Sequence, residues 1–217
     1  TAAAMKFAFH GGEVTESEIL DKLSNSDAKI RKEAGQSLSA TLKANDRLLS
    51  LILNTIAKDK EVEDRWRGFV RPVASRNLAN DVDDEVVDAL VSTVTGRNAD
   101  LSHRYYAMKA SWMDVGQFNW WDRNAPLPGD DDRQFSWAEA ERIVLDAFTG
   151  FDPEMAAIAQ PFFERNWIDA APRPGKSSGA FSHPVTPSAH PYILMNFAGK
   201  SRDVMTLAHE MGHGVHQ

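Results

Sequence analysis

The run Pro191-Tyr-Ile-Leu-Met-Asn-Phe-Ala-Gly-Lys-Ser-Arg-Asp-Val-Met-Thr-Leu-Ala-His-Glu-Met-Gly-His-Gly-Val-His216 changes its hydropathic period halfway along. Tyr192 to Phe197 is a short apolar stretch bounded by Pro191 and Gly199, which predicts a strand. Ser201 or Asp203 offers a polar cap, and Val204, Leu207 and Ala208 then recur at helical spacing. A strand followed by a capped helix is expected here. Ala180-Phe181-Ser182 is read as a second short strand, after the loop that starts at Pro172.

Upstream, most of the chain reads as helix. Thr15-Glu-Ser-Glu18 and Ser136-Trp-Ala-Glu139 are capping boxes. Asp152-Pro153 is a cap followed by proline at the first helical position. From about Ser26 to Lys58, Ile30, Leu38, Leu42, Leu48, Leu49, Ile52, Leu53 and Ile56 predict one long helix. A helix starting near Glu61 is expected to end or bend at Pro72. Asp81 should cap the next, with Val86, Val87, Leu90, Val91 and Val94 as its apolar stripe and Gly96 as its end. Another should run from His103 to about Val115. The expected fold class is mainly α, a helical array with a small two-stranded β element before the last helix.

Composition excludes several function classes. The 217 residues carry 24 Lys+Arg against 31 Asp+Glu, a formal charge of −7, which argues against a nucleic-acid or membrane-surface binder. Hydrophobic residues at 42% and charged residues at 25% suit an ordinary soluble protein. The absence of cysteine rules out disulfides, thiolate metal ligands and a cysteine nucleophile. No stretch approaches the ~18 apolar residues of a membrane span, and Thr1-Ala-Ala-Ala4 is no signal peptide. The lack of cysteine leaves the compartment open, since a secreted protein need not contain cysteine, and the expectation adopted is cytoplasmic. The sequence stops inside a helical pattern without a glycine cap or a proline stop, and it reads as an internal piece of a longer protein.

The chemistry lies in His209-Glu210-Met-Gly-His213. Positions i and i+4 of a helix share one face, about 6 Å apart, so two imidazoles there can both reach a zinc ion at ~2.0–2.1 Å. Glu210 sits to the side of the pair, where a carboxylate can take a proton from water activated by the ion. Seven histidines in the whole chain make a chance match uncommon. His216 shares the face but lies ~10 Å along the axis from His209, so both cannot hold one ion. It reads as packing or outer support, and the third ligand should come from elsewhere, most simply from a helix after Gln217. Gly212 costs ~1 kcal/mol inside a helix and suggests the close approach of another backbone. A metal-free helical scaffold, or a zinc hydrolase of non-peptide amides, would fit the same composition.

Three segments carry a resemblance. Gly179-Ala-Phe-Ser-His-Pro184, Pro191 to Phe197 and Asp203 to His216 resemble the oligoendopeptidase F branch of the thimet-oligopeptidase-like zinc metallopeptidases. Weaker likenesses lie at Arg104-Tyr-Tyr-Ala-Met-Lys109, at Trp121-Asp122 followed by Pro126-Leu127, and from Trp167-Ile-Asp169 to Lys176. The resemblance implies a mostly helical fold enclosing a channel and one zinc ion in the intact chain. It implies an oligopeptide substrate cut at internal bonds, a glutamate third ligand, and His and Tyr residues further on. On this reading His209 and His213 are metal ligands and Glu210 is the catalytic base. Residues 1–125 form a helical array, and residues 126–217 begin the catalytic region, or the whole is one continuous domain.

Gly179, Ala180 and Phe181 are candidate substrate contacts by strand addition, weighed against an ordinary strand. His183 and His190 each precede a proline in a loop and read as structural in preference to substrate contacts. Phe118, Trp120 and Trp121 read as core, and Asp130-Asp-Asp132 as a solvated loop. His10 and His103 carry no signal, and the oligomeric state is not legible.

Overall fold

The computed structural model describes residues 4–129 and 133–217, so Asp130, Asp131 and Asp132 lie outside the described residues. The described part is mainly helical with small β elements, the class the sequence predicts. It divides into two compact units, residues 4–38 with 124–217, and residues 39–123. No helix among the described residues is long and apolar enough to cross a membrane.

The chain opens with an antiparallel hairpin, β1 (Phe7–Phe9) and β2 (Gly12–Val14). Sequence reading misses it because each strand has only three residues. His10 and Gly11 form its turn with φ of 48° and 80°, the positive values that tight hairpins favour. The Thr15 capping box then starts α1 (Glu16–Lys22), as predicted, and α2 (Ala28–Ala44) follows.

The second unit departs from the sequence reading in several places. The long helix expected from Ser26 to Lys58 is two helices, because Asn45 (φ −104°) interrupts it and its Nδ2 donates to Thr41 O at 2.9 Å. Next, α3 (Asp46–Arg67) runs straight through Glu61 and stops at left-handed Gly68, short of Pro72. After α4 (Ala74–Ala79), Asp83 rather than Asp81 precedes α5 (Asp84–Asn98). Gly96 does not end α5: a π turn at Ala99–His103 carries the helix on into α6 (Arg104–Trp112). Interior glycine costs a helix only ~1 kcal/mol, which this one tolerates. Val86, Leu90, Val91 and Val94 do lie on that helix, but all are exposed, as is Trp120 in the aromatic group expected to be core.

The main core belongs to the first unit. The Ser136 capping box starts α7 (Trp137–Phe151), and Asp152 with Pro153 starts α8 (Pro153–Glu164), both as predicted. A three-stranded sheet follows, from β3 (Ile168–Asp169), β4 (Phe181–His183) and β5 (Tyr192–Leu194). The expected antiparallel pair is β4 with β5, and the two-residue β3 adds a parallel partner on the other side of β5. The last helix, α9 (Ser201–His216), lies against α7, α8, β4 and β5. Ala140, Val144, Phe148, Ala159, Phe162, Ile193, Met195, Leu207 and Met211 make one buried cluster between them.

Two glycines make that packing possible. Gly199 turns the chain from sheet to helix with φ +87°, and a Cβ there would lie 3.0 Å from Phe135 O. At Gly214 a Cβ would lie 2.9 Å from the Phe162 ring, whereas at Gly212 nothing among the described residues comes within 4 Å. The close approach expected at Gly212 is therefore found at Gly214, and with a side chain and not a backbone.

A buried cation braces the sheet. Lys176 Nζ donates to Asp169 Oδ1 (2.9 Å), Asp169 O (2.9 Å) and Ala171 O (3.0 Å), and Arg173 donates to both Asp169 carboxylate oxygens at 2.6 Å. The Arg173 hydrogen bonds lead, and those of Lys176 add to them against burial. Together they pull the Asp169 carboxyl down from 3.8 to about 2.

Gly214→Ala is expected to destabilise the chain by ~1–3 kcal/mol by crowding Phe162. Gly212→Ala should instead stabilise it by up to ~1 kcal/mol. Urea denaturation followed by circular dichroism measures both, and equal effects would contradict the packing difference. Asp169 should add stability above its unfolded value of 3.8, lost as pH falls through about 2. The stability gap between wild type and Asp169→Asn should then narrow between pH 5 and pH 2. A constant gap over that window would refute the brace.

Candidate metal centre

The sequence of α9 sorts its side chains by face. Val204, Leu207, Glu210, Met211 and Gly214 are buried, and at 100° per residue they form one sector of the helix. His209 and His213 fall on the opposite side and are exposed. The helix start is fixed locally, because Asp203 Oδ2 accepts from Lys200 N at 3.0 Å and from Ala198 N at 2.9 Å. Lys200, rather than Ser201 or Asp203, is thus the capping position. Its side chain reaches Asp21, donating to the backbone oxygen at 3.0 Å and pairing with the carboxylate at 2.5 Å, which ties α1 to the start of α9.

The two imidazole rings lie with centroids 4.8 Å apart and planes at 86°. That juxtaposition suits two nitrogen donors converging on one divalent cation of the zinc type. Glu210 is 8% exposed and lies at the edge between the packed face and the histidine face. A carboxylate placed there is almost wholly withdrawn from bulk water. His216 is exposed on the last turn. Among the described residues no group of three or more His, Cys, Asp or Glu side chains could hold a metal ion. The pair therefore fits two of the three protein ligands that catalytic zinc sites use.

Beside the helix stands the sheet. Ser182 Oγ donates to Gln217 Oε1 at 3.0 Å, fastening β4 to the end of α9. The strand order β3-β5-β4 leaves β4 with one neighbour, so its other edge is unpaired among the described residues. Gly179 (φ +86°) leads into that strand, followed by Ala180 and Phe181, which is exposed. Phe181 pairs with Leu194 and His183 with Tyr192, so all four share the sheet face turned away from α9. Phe181, Tyr192, Leu194 and Trp167 border an open cavity of about 310 Å³, which neither motif histidine lines.

His183 and His190 are not drawn to the pair. His190 stacks on Trp167 with centroids 3.5 Å apart and planes at 7°. His10 bonds to Glu33 at 2.9 Å in the N-terminal hairpin turn. One residue that the sequence reading passes over is Asn196, whose amide reaches back to the loop before β4. The available signal was a lone polar residue in the apolar run Tyr192 to Phe197.

The chain is similar in sequence and in fold to known peptidases. The chain is 27% identical to oligopeptidase PepF of Bacillus subtilis over 204 residues, covering 94% of this chain and 30% of that protein. It is 29% identical to an oligoendopeptidase F homolog of Borreliella burgdorferi over 196 residues, covering 89% of this chain and 33% of that protein. The chain thus spans about a third of the length of these curated relatives. Its fold matches PZ peptidase A, solved with an inhibitor, with a TM-score of 0.88 at 20% identity over 99% of this chain and 39% of that one. It also matches a structure assigned as oligoendopeptidase F from Bacillus anthracis, with a TM-score of 0.86 at 21% identity over 99% of this chain and 40% of that one. The sequence profile of peptidase family M3 matches residues 22–217. Nearly the whole chain, with the motif helix included, carries that match, and the chain belongs to peptidase family M3.

Proposed function

We propose that this chain is the motif-bearing segment of a longer zinc-dependent endopeptidase that hydrolyses internal bonds of oligopeptides. The observation that carries the reading is the exposed His209 and His213 pair on α9, with Glu210 at its border and the unpaired edge of β4 alongside. Family membership and the oligopeptidase and oligoendopeptidase names of its relatives support it. In this reading residues 126–217 open the catalytic region. The third metal ligand and the groups that bind the transition state come from outside these 217 residues.

His209 and His213, as neutral imidazoles, would hold the zinc. The ion, when bound, supplies Lewis acidity and eases deprotonation of water at neutral pH. Glu210 accepts the proton of the attacking water on its carboxylate and then delivers it to the leaving amine nitrogen. Its burial on the α9–core side holds the carboxylate in one place through both transfers. The substrate backbone lies along β4, where Ala180 and Ser182 offer N–H and C=O groups to an extended peptide.

In the complete enzyme, Glu210→Gln should keep its zinc content and lose ~10²–10⁴-fold in kcat. Metal analysis and peptide kinetics on the same preparation check this, and near-normal turnover would remove Glu210 from the mechanism. The 217-residue chain alone should bind zinc weakly, because two histidines leave the coordination incomplete. Calorimetric titration tests it, with His209→Ala as the control that abolishes the heat. Nanomolar affinity would place a third ligand within these residues.

A further inference from the structure

Past Leu194 the β5 backbone stays extended and keeps its partner. The N–H groups of Ile193, Met195 and Phe197 donate to Trp167 O (3.0 Å), Asp169 O (3.0 Å) and Ala170 O (2.9 Å). Successive residues of a strand turn their N–H groups to opposite edges, so residues 192, 194 and 196 face β4. The pairs His183↔Tyr192 and Phe181↔Leu194 step by two, which would set Gly179 opposite Asn196. There the chain bends out of the sheet at Gly179, with φ +86°.

Asn196 replaces the missing rung with its side chain. Its Nδ2 donates to Gly179 O at 3.0 Å and to Ser177 O at 2.9 Å. Turned over, the amide would set Oδ1 against two carbonyl oxygens, so the hydrogen bonds fix its orientation. In that orientation Oδ1 is buried with no hydrogen-bond partner among the described residues. An unpaired buried oxygen is unfavourable, and an apolar residue would fill this strand position without it. The two hydrogen bonds thus come with an unpaired buried oxygen, so fold stability alone is an incomplete reason for an asparagine here.

We propose that Asn196 is a positioning residue for peptide binding, clamping the Ser177–Gly179 loop so that β4 presents its free edge at one fixed register. Because Phe181 and His183 turn their backbone groups towards β5, Ala180 and Ser182 turn theirs towards the open edge. Asn196 sets the entry of this edge strand, and the Ser182–Gln217 bond fastens it to α9. Asn196 itself does not touch the peptide. The proposal rests on the edge-strand reading of substrate binding given above.

The test is steady-state kinetics of the complete enzyme on a fluorogenic oligopeptide and on its analogue with one backbone amide beside the scissile bond replaced by an ester. Asn196→Ala should raise KM about 10-fold, as two hydrogen bonds to the loop are lost, with kcat held within about twofold. The wild type's penalty for the ester should shrink in the variant, because the rung that reads the amide is no longer held in register. Asn196→Gln keeps the donor on a longer arm and should recover part of the KM loss. It also serves as the test variant if Asn196→Ala does not fold. An unchanged KM with a lowered melting temperature, or an equal ester penalty in both enzymes, would overturn the clamp. Absence of any ester penalty in the wild type, at each amide replaced in turn, would instead overturn the edge-strand reading itself.

Discussion

The contact of Gly214 with the Phe162 ring sets how closely α9 lies on its support, and the rest of the site follows from that distance. An alanine there would already crowd the ring, so the helix rests on α8 through bare backbone at this point. Met211 and Leu207, fully buried about one and two turns earlier, complete the packed face. A helix pinned along one sector has no rotational freedom, and the opposite sector is fixed with it. His209 and His213 are therefore held towards the open side by apolar contacts they do not share.

The same packing gives Glu210 its double character. It lies at the margin of the apolar sector, nearly covered, yet next in sequence to an exposed imidazole. In the proposed mechanism that cover restrains the carboxylate that would carry the proton. The sheet adds a second constraint. With β3 on one side of β5 and β4 on the other, the outer edge of β4 has no strand partner among the described residues. The bond from Ser182 to Gln217 joins that strand to the end of the helix.

Much of this was legible in the sequence because local chemistry decides it. The Thr15 and Ser136 capping boxes and the Asp152-Pro153 start are satisfied within a few residues of themselves, and all three open helices where the sequence reading puts them. The i, i+4 spacing puts His209 and His213 on one face before any tertiary contact forms. Where the reading failed, a local signal was weak or a second segment decided. Pro72 and Gly96 are strong punctuation, but Gly68 stopped one helix earlier and a π turn carried the other past its glycine. The two-residue β3 has no periodicity to detect, and it exists because β5 offers it an edge.

By itself, then, the sequence determined the helix, the facing histidines, the neighbouring carboxylate and the apolar strand before them, because these depend on spacing along one chain. Tertiary structure alone decided that the close approach falls at Gly214 and not at Gly212, since the helix has no information about which glycine will meet Phe162. It also decided that Asn196 serves the loop before β4, through hydrogen bonds across 17 and 19 residues of sequence. Spacing rules reach about one helical turn or one strand pair. Contacts between segments far apart in the chain are chosen by which surfaces fit, and that is settled only when the core closes.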